Sequence, residues 1–456
     1  MSAVIDTIAG PLRAHPASAL AVGAPERAIA FDAQGPVSLA RFLREVNGVA
    51  ARLPAATRAI NLCEDRYRFL VAFCAAAARG QTTLLPSSRA PAVIEQVRAA
   101  HPGAYCIAED AGDGATPPHH YLLPGTLPQA ESVLPWIDDN ALVAVGFTSG
   151  STGQPLATPK RWGSFRTSTA QNLVALAGLL AEAPGAMTPL VATVPPQHMY
   201  GMEMSVLLPL LGPLTVHSAR PFFPGDIVRA LGDAAAPPLL VTSPVHLRTL
   251  LQSGVALPPL AGIVCSTAPL PPELARAAEV RYRCEVRELF GSTETCVIAR
   301  RRTAMENAWT PLPGVRLLPQ PDGTAVHAAH LARPVVLADL VELHPDDRFT
   351  LRGRHADQLE IAGKRASLGD LTRQLLALPG VVDGVVLQLD GHDDGGVRRI
   401  AALVVAPGLD EASILQALRG QCDPVFLPRR LRCVERLPRN DTGKLPRQAL
   451  LDLLQG

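Results

Sequence analysis

Short apolar runs alternate with longer helical patterns along most of this chain. Ala141–Phe147, Pro189–Thr193 and Leu239–Thr242 have the length and composition of buried strands. Arg41–Leu53 and Phe69–Ala78 instead have apolar residues at the spacing of a helix. Strands that alternate with helices build sheets covered by helices, so this order predicts an α/β fold with layered sheets and helices.

The pattern becomes smaller after the strand-rich stretch Pro334–Leu351. Beyond it come a strand, a helix (Leu368–Leu378), two strands (Val381–Leu389 and Arg399–Val405), a helix (Asp410–Gly420) and a basic tail. This change predicts two domains. The first, residues 1–354, is a large N-terminal domain of several subdomains, and the second, residues 355–456, is a small α+β domain.

Composition disfavours several classes of function. The 456 residues carry a formal net charge of +1, whereas nucleic-acid-binding proteins usually have a strong basic excess. No apolar run reaches the roughly 20 residues of a membrane span, and the first residues lack the basic start of a signal peptide. The eight cysteines have no metal-type spacing, which is typical of buried free thiols in a reducing compartment. We therefore expect a cytoplasmic protein without a nucleic-acid partner or a membrane span.

Lysine is scarce among the basic residues. Lys160, Lys364 and Lys444 are the only lysines among 42 lysines and arginines. Surface positions often accept either residue, whereas a site that needs a compact, mobile ammonium group requires lysine. These three positions are therefore candidates for a function, and each lies in or beside one of the motifs below.

A loop rich in glycine and hydroxyl groups follows the candidate strand that ends at Phe147. Its residues are Thr148, Ser149, Gly150, Ser151, Thr152 and Gly153. Glycines allow backbone amides to turn toward an anion and the hydroxyl groups add donors, so the loop is a candidate phosphate site. It differs from the P-loop because no lysine follows Gly153 directly. On its own, the loop also fits a flexible surface turn.

Further motifs follow this loop in order along the chain. They are Pro195–Gly201 (PPQHMYG), Ser266–Leu270 (STAPL), Phe290–Glu294 (FGSTE), Ala338–Leu340 (ADL), Gly353–Arg365 and Pro438–Leu445 (PRNDTGKL). The ordered set resembles the signatures of the adenylate-forming superfamily. That superfamily includes acyl-CoA synthetases, the adenylation domains of peptide synthetases, and luciferases. The resemblance extends from about Asp138 to the last residues of the chain, and the N-terminal third is motif-poor but compatible.

The resemblance implies that the chain uses ATP and Mg2+ to convert a carboxylic acid into an acyl adenylate. The phosphates of ATP would then lie on Thr148–Gly153, with Lys160 either as an assisting cation or with no part in binding them. Thr293 would bind the α-phosphate and Glu294 would hold Mg2+, which prefers hard oxygen ligands beside phosphate. Lys444 would stabilise the charge that develops between the carboxylate and the α-phosphate.

The rest of the nucleotide site is carried over from the same motifs. Asp339 would accept hydrogen bonds from the ribose hydroxyls, with Arg354 alongside. Phe290, Gly291 and Ser292 would lie beside the adenine or the acid. For Phe290, an ordinary place in the hydrophobic core is the alternative.

The resemblance also locates an acid pocket. Its expected residues are His198, Met199, Tyr200, Gly201, Ser266, Thr267 and Ala268. Such a wall is apolar with a few polar groups, which suits an aromatic or medium-chain acid without choosing between them. His198 fits a packed core histidine equally well. No aspartate that could face an amino group is evident in these segments, so amino-acid substrates rank lower.

A second half-reaction follows from the resemblance, in which the acyl group passes to a thiol. The small domain would be mobile and would rotate at a hinge near Asp357, presenting the loop of Gly363, Lys364 and Arg365. The acceptor would be CoA or the phosphopantetheine of an acyl carrier protein that acts in trans. The basic stretch Arg429–Arg447 fits the phosphates of CoA or an acidic carrier, and also basic groups that line the ATP approach or are simply solvated.

Three positions depart from the superfamily pattern. Leu156 replaces a usual lysine after the phosphate loop, Ala338 a usual glycine before Asp339, and Ala356 a frequent aspartate at the hinge. A non-catalytic binding protein with a degenerate site is therefore the alternative function. A serine-nucleophile α/β enzyme is disfavoured because the chain has no G-x-S-x-G elbow in a strand-to-helix setting.

Overall fold

A computed structural model shows a mixed α/β protein of several sheets and covering helices, as the alternation of patterns predicts. The structure describes residues 16–109, 118–149, 155–321, 323–354, 358–361, 364–392, 398–422, 424–440 and 443–455.

The strands of the described residues are numbered β1 to β27 in chain order. They are Ala17–Ala19, Ala28–Asp32, Gly35–Ser38, Arg58–Asn61, Thr82–Leu85, Tyr105–Glu109, His120–Leu123, Trp136–Asp138, Leu142–Ser149, Pro155–Arg161, Thr188–Ala192, Leu214–His217, Leu239–Thr242, Gly262–Cys265, Val286–Ser292, Cys296–Arg301, Thr310–Pro311, Arg316–Gln320, Gly323–His327, Val335–Leu337, Asp339–Leu343, Phe349–Arg354, Gln358–Ile361, Lys364–Ser367, Asp383–His392, Arg398–Val405 and Arg430–Cys433.

The α-helices of the described residues are numbered α1 to α12. They are Leu39–Ala50, Arg66–Ala78, Pro91–Ala100, Trp162–Ala175, Met199–Met202, Leu208–Leu211, Pro224–Gly232, Pro244–Gln252, Pro272–Tyr282, Leu368–Leu376, Glu411–Arg419 and Arg447–Gln455. A π-helical segment, Glu203–Leu207, joins α5 to α6.

Two large sheets form the body of the protein. The first has the strand order β10-β9-β5-β4-β6-β7 and is parallel except for the antiparallel pair β9–β10. The second has the order β17-β16-β15-β14-β13-β11-β12-β2-β3, and its six central strands are parallel. Helix α2 contacts β4 and β5 of the first sheet and β12 of the second, so it lies between the two layers.

The sequence of α2 explains this position. Its residues, RYRFLVAFCAAAA, are apolar around most of the helix, and nearly all of them are buried. A helix that is apolar on all sides is stable only when it is covered on all sides. Asp65 caps the helix by accepting a hydrogen bond from the Arg68 amide.

The residues after β22 build smaller units. Strands β25, β26 and β27 form one sheet, and β23 pairs with β24. Two apolar clusters lie here, one involving α10 and α11 and the other α12. The predicted basic tail contains the strand β27 and the helix α12. Leu450 and Leu454 share one face of α12, and this face packs with Leu387. The boundary at 354/355 stays a prediction, since residues 355–357 lie outside the described ranges.

Two expectations from composition can be compared with the fold. Among the described residues, no helix is both long and apolar enough to cross a membrane. All eight cysteines are free thiols, although Cys284, Cys422 and Cys433 are only half-buried rather than fully buried. Cys284 and Cys433 lie at or just beyond the ends of a helix and a strand, where solvent reaches part of the side chain.

Candidate active site

The motifs of the second sheet lie at the carboxyl ends of its central strands. Pro195–Gly201 follows β11, Ser266–Leu270 follows β14, and Phe290–Ser292 ends β15. Because these strands are parallel, their carboxyl ends meet at one edge of the sheet. Strand order reverses around β11, which is flanked by β12 and β13, and open α/β sheets bind ligands at the carboxyl side of such a point.

The candidate phosphate loop meets this edge from the first sheet. Thr148, near the end of β9, donates a hydrogen bond from Oγ1 to Oε1 of Glu294 at 3.3 Å. The structure thus joins the start of the loop to the predicted magnesium ligand. Gly150, Ser151, Thr152 and Gly153 lie outside the described residues, as does the side chain of Ser149, so their phosphate contacts remain predictions.

Gly146, on β9, marks the closest approach of three motifs. A Cβ atom at this position would lie 2.7 Å from Cγ2 of Thr293 and 3.4 Å from Cε of Met199. The first distance is shorter than real carbon contacts allow, so a glycine is required for the strand to pass this close. Residues expected at the phosphates and in the acid pocket therefore pack around one point.

The turn between β15 and β16 presents Thr293 and Glu294. Hydroxyl groups close it: the Ser292 amide donates to Thr295 Oγ1 and the Thr295 amide to Ser292 Oγ, both at 3.1 Å. At Gly291 a Cβ would lie 2.1 Å from the Cys296 carbonyl oxygen, so only glycine fits there. These local contacts give the turn one defined shape.

Glu294 is suited to share a magnesium ion with ATP. The described residues contain no group of three or more His, Cys, Asp or Glu side chains that could hold a metal by themselves. Mg2+ usually binds through one or two carboxylates together with substrate phosphates and water. A single half-buried carboxylate beside a phosphate loop fits that pattern.

Lys160 lies behind the turn that carries Glu294. It is 4% exposed, and its Nζ donates to the Glu294 carbonyl oxygen at 3.1 Å and contacts Cys296 Sγ at 3.3 Å. Leu156, which stands where the superfamily has lysine, pairs with Thr148 and is 56% exposed. Positions 156 and 160 are about 13 Å apart along β10. Lys160 therefore supports the turn from behind and does not occupy the place of the lysine that the superfamily usually has at the position of Leu156.

The predicted acid-pocket residues lie at the carboxyl ends of the central strands of the second sheet. His198 is the residue before α5, and Tyr200 is buried with its hydroxyl donating to the Val264 carbonyl oxygen at 2.9 Å. Burial raises the pKa of Tyr200 well above its usual value. Ser266 Oγ donates to the Leu289 carbonyl oxygen at 2.9 Å. The Tyr200 hydroxyl thus ties α5 to β14, and the Ser266 hydroxyl ties the end of β14 to β15. Contact of these residues with an acid stays a prediction.

Gly201 and Thr267 have unusual backbone surroundings. At Gly201 a Cβ would lie 1.9 Å from the Pro195 carbonyl oxygen, so this motif folds closely on itself. Thr267 has a φ of 85°, a left-handed conformation that is strained for a β-branched residue. Its Oγ1 is buried and has no hydrogen-bond partner among the described residues. Strained residues persist mainly at functional sites, which agrees with the predicted place of Thr267 in the pocket.

We expect Thr267→Gly to stabilise the fold. Glycine adopts a φ of 85° without strain, so the free energy of unfolding should rise by about 1 kcal/mol after the entropy cost of glycine is subtracted. Denaturant unfolding of the purified variant measures this. The control is Thr249→Gly within α8, where helical geometry is ordinary and glycine should destabilise. A Thr267→Gly protein less stable than the parent would show that the backbone is not strained.

Phe290 packs in an aromatic cluster. Its ring centroid lies 5.4 Å from that of Trp309 and 6.1 Å from that of Phe349. The guanidinium carbon of Arg301 lies 4.3 Å from the centroid of the Trp309 ring. The half-buried ring thus belongs to the edge of the core, and its contact with adenine or the acid remains a prediction.

The two residues predicted to bind the ribose, Asp339 and Arg354, are neighbours on paired strands. Asp339 begins β21 and is the register partner of Arg354, the last residue of β22. Thr324 Oγ1 donates to the Asp339 carbonyl oxygen at 2.7 Å and so fixes the backbone at this point. The side chain of Arg354 lies outside the described residues.

Lys444 lies on a braced loop between β27 and α12. Its amide donates to Asn440 Oδ1 at 2.9 Å, and Gly443 has a φ of 78°. Arg439 donates to the Gly443 carbonyl oxygen and makes two hydrogen bonds to Asp383. Gly443 also lies against Val245 of α8, where its Cβ would be 3.1 Å from Cγ2.

The hinge residues are only partly described. Lys364 and Arg365 start β24, which pairs with β23, and the backbone register partners of these two residues are Ile361 and Glu360. Asp357 and Gly363 lie outside the described residues. The role of this hairpin in thiol transfer therefore stays a prediction.

Two buried residues beside the site were not anticipated. Glu203 is 1% exposed and His330 is 3% exposed, and both bind the backbone near the Thr293–Glu294 turn. Glu203 stands alone in an otherwise apolar stretch, MYGMEMSVLLPLL, which is the signal that could have identified it. No comparable signal marks His330.

Residues 21–324 match the family model described as AMP-binding enzyme. A 4-coumarate–CoA ligase of Rhodobacter capsulatus is 30% identical over 305 residues, which are 66% of this chain and 74% of that protein.

Solved structures show the same fold over nearly the whole chain. ATP-bound MatB from Rhodopseudomonas palustris has a TM-score of 0.78 at 21% identity, covering 95% of this chain and 96% of that one. The O-succinylbenzoate–CoA synthetase MenE from Bacillus subtilis, in complex with ATP and magnesium, has a TM-score of 0.78 at 16% identity, covering 95% and 97%. With the family match spanning more than half of its residues, the chain belongs to the AMP-binding enzyme family, the adenylate-forming enzymes.

Proposed function

We propose that this protein is an AMP-forming acid–thiol ligase. It activates a carboxylic acid with ATP as an acyl adenylate, releases pyrophosphate, and transfers the acyl group to a thiol. The observation that carries the proposal is the hydrogen bond between Thr148 and Glu294, which brings the predicted phosphate loop to the predicted magnesium ligand although 146 residues separate them. A non-catalytic protein that kept only the fold would not need a hydrogen bond between these two side chains.

The proposed roles follow from charge. The carboxylate and the α-phosphate are both anions, so the site must offset their repulsion and align them. Thr148 and the loop after it bind the leaving phosphates, while Thr293 donates to the α-phosphate. Bound between Glu294 and the phosphates, Mg2+ would supply neutralisation of their charge. Lys444 reaches the reacting oxygens, and Asp339 holds the ribose.

We propose an aryl acid as substrate. The wall around Tyr200, Met199 and Val264 is apolar and buried, and the hydroxyl groups of Tyr200 and Ser266 already bind carbonyl groups. Such a wall suits a flat ring better than a polar side chain. The relative from Rhodobacter capsulatus is named for 4-coumarate, also an aromatic acid.

The acceptor thiol is proposed to be that of CoA or of a carrier protein acting in trans. Exposed Arg429 and Arg430 lie beside and within β27, in a stretch with a clear excess of basic over acidic residues. Phosphates of CoA and the acidic surface of a carrier are both attracted to such a stretch. The small unit is proposed to rotate at the hinge between the two half-reactions, in a reducing cytoplasm that keeps the thiols free.

Mass spectrometry of the products tests this function. The protein is incubated with ATP, Mg2+ and a panel of benzoate-type, cinnamate-type and fatty acids, with either CoA or a phosphopantetheinylated carrier protein. We expect an aryl thioester with one acceptor and release of AMP. Formation of the adenylate without a thioester on either acceptor would contradict the ligase assignment. The absence of both adenylate and thioester would favour the non-catalytic alternative.

A further inference from the structure

Three polar side chains are buried behind the turn that carries Glu294. Lys160, Glu203 and His330 are 4%, 1% and 3% exposed. Polar and charged groups at this depth destabilise a fold unless they make good hydrogen bonds. None of the three contacts an ATP group in the scheme above, so their place in the structure needs another reason.

All three bind the backbone of the turn or of the strand after it. Lys160 Nζ donates to the Glu294 carbonyl oxygen at 3.1 Å, and His330 Nε2 donates to the Thr295 carbonyl oxygen at 2.7 Å. Glu203 Oε2 accepts from the Val297 amide at 3.1 Å. The backbone at Glu294, Thr295 and Val297 is thus held by side chains from three different parts of the fold.

Glu203 is itself held firmly. Its Oε1 accepts hydrogen bonds from Ser168 Oγ at 2.5 Å and Asn172 Nδ2 at 2.9 Å, both on α4. Burial raises the pKa of Glu203, while these hydrogen bonds and the charge of Lys160 oppose the rise. Glu203 begins the π-helical segment, a form of helix that occurs often at functional sites.

Lys160 differs from its two partners because it binds the carbonyl of Glu294 itself. A charged donor on a carbonyl oxygen makes a stronger hydrogen bond than a neutral donor does. This bond restrains the peptide group that joins Glu294 to Thr295. On the other side, Thr148 restrains the Glu294 carboxylate. Backbone and side chain of one residue are therefore fixed from opposite sides.

We propose that Lys160 is a positioning residue for Glu294. Its ammonium group fixes the backbone of the turn so that the carboxylate keeps the orientation needed to hold Mg2+ against the phosphates. The inference rests on the proposed function, since it assigns Glu294 to Mg2+. It also explains why one of three lysines is buried here with its ammonium group on a backbone carbonyl.

The direct test replaces Lys160 with methionine, which has similar length but no donor. Binding of α,β-methylene-ATP is measured by calorimetry at a series of Mg2+ concentrations, and ATP–pyrophosphate exchange is measured in parallel. We expect the Mg2+ concentration for half-maximal binding to rise about tenfold, as loss of one charge-assisted hydrogen bond implies. The KM for the acid should stay unchanged.

A double variant separates positioning from charge balance. Lys160→Met leaves Glu203 buried without its cation, and Lys160→Met with Glu203→Gln removes both charges, so it should fold even if the single variant does not. We expect the double variant to recover thermal stability but to keep the shifted Mg2+ dependence. Tyr67→Phe is the matched control, because it removes a buried hydroxyl that donates to Glu45 and leaves the turn intact.

Two results would overturn the proposal. One is an unchanged Mg2+ dependence in Lys160→Met, and the other is full recovery of that dependence in the double variant, which would reduce Lys160 to the counter-ion of Glu203. The same Mg2+ shift in Tyr67→Phe would also count against it. Absence of exchange in the parent protein would instead contradict the proposed function, and the calorimetry would still decide the role of Lys160.

Discussion

Replacing Lys444 with alanine is expected to slow acyl-adenylate formation by about 100- to 1000-fold, the range for loss of one preorganised donor at a developing charge. Hydrogen bonds fix the backbone of the loop around Lys444. Arg439 binds both Asp383 and the Gly443 carbonyl oxygen, and Asn440 accepts from the Lys444 amide. Because these hydrogen bonds do not involve the Lys444 ammonium group, the substitution should remove that group without unfolding its surroundings.

The measurement follows the two half-reactions separately. Adenylate formation is monitored by pyrophosphate release, and thioester formation by supplying the synthetic acyl adenylate with the thiol. We expect the rate of adenylate formation to fall strongly and the rate of thioester formation to be retained. The reason is that the ammonium group acts only where the carboxylate attacks the α-phosphate. Arg430→Ala is the control for adenylate formation, because it removes an exposed cation from the same region. Equal loss of both half-reactions in Lys444→Ala would contradict this division.

The second large effect is expected at Glu294. Glu294→Gln keeps the size of the side chain and an oxygen that can accept from Thr148, but it removes the charge that attracts Mg2+. We expect adenylate formation to fall by about 100-fold and to need more Mg2+. The fold should be preserved, since the turn is closed by Ser292 and Thr295 and not by this carboxylate.

A titration of activity against Mg2+ concentration measures this effect. Glu273→Gln, which alters an exposed carboxylate on α9, is the control for the loss of one negative charge. The control should retain the Mg2+ dependence of the parent protein. A Glu294→Gln variant with an unchanged dependence would place the metal ligand elsewhere.

Much of the fold could be predicted because strand and helix periods are local properties. The strand predicted at Leu239–Thr242 is β13, and the helices predicted at Arg41–Leu53 and Phe69–Ala78 are α1 and α2 with ends shifted by up to three residues. Order along the chain then indicates the layers. Pairing between distant strands is not local, so the register that places Asp339 opposite Arg354 had to come from the structure.

The site was predictable in its parts but not in its assembly. The motifs around Thr148 and Glu294 could be found separately, yet no spacing indicates that their side chains are 3.3 Å apart. Lys160 shows the same limit. A lysine near a phosphate loop suggests a phosphate contact, but the direction of its side chain depends on which face of β10 is covered, and here that face is buried.

ATP–pyrophosphate exchange over a panel of carboxylic acids tests the central claim most directly. It reports the reverse of adenylate formation and needs no knowledge of the acceptor thiol. We predict exchange that requires both Mg2+ and an acid and is fastest with an aromatic acid. A folded protein that binds ATP but shows no exchange with any acid would contradict the claim that this chain activates a carboxylate.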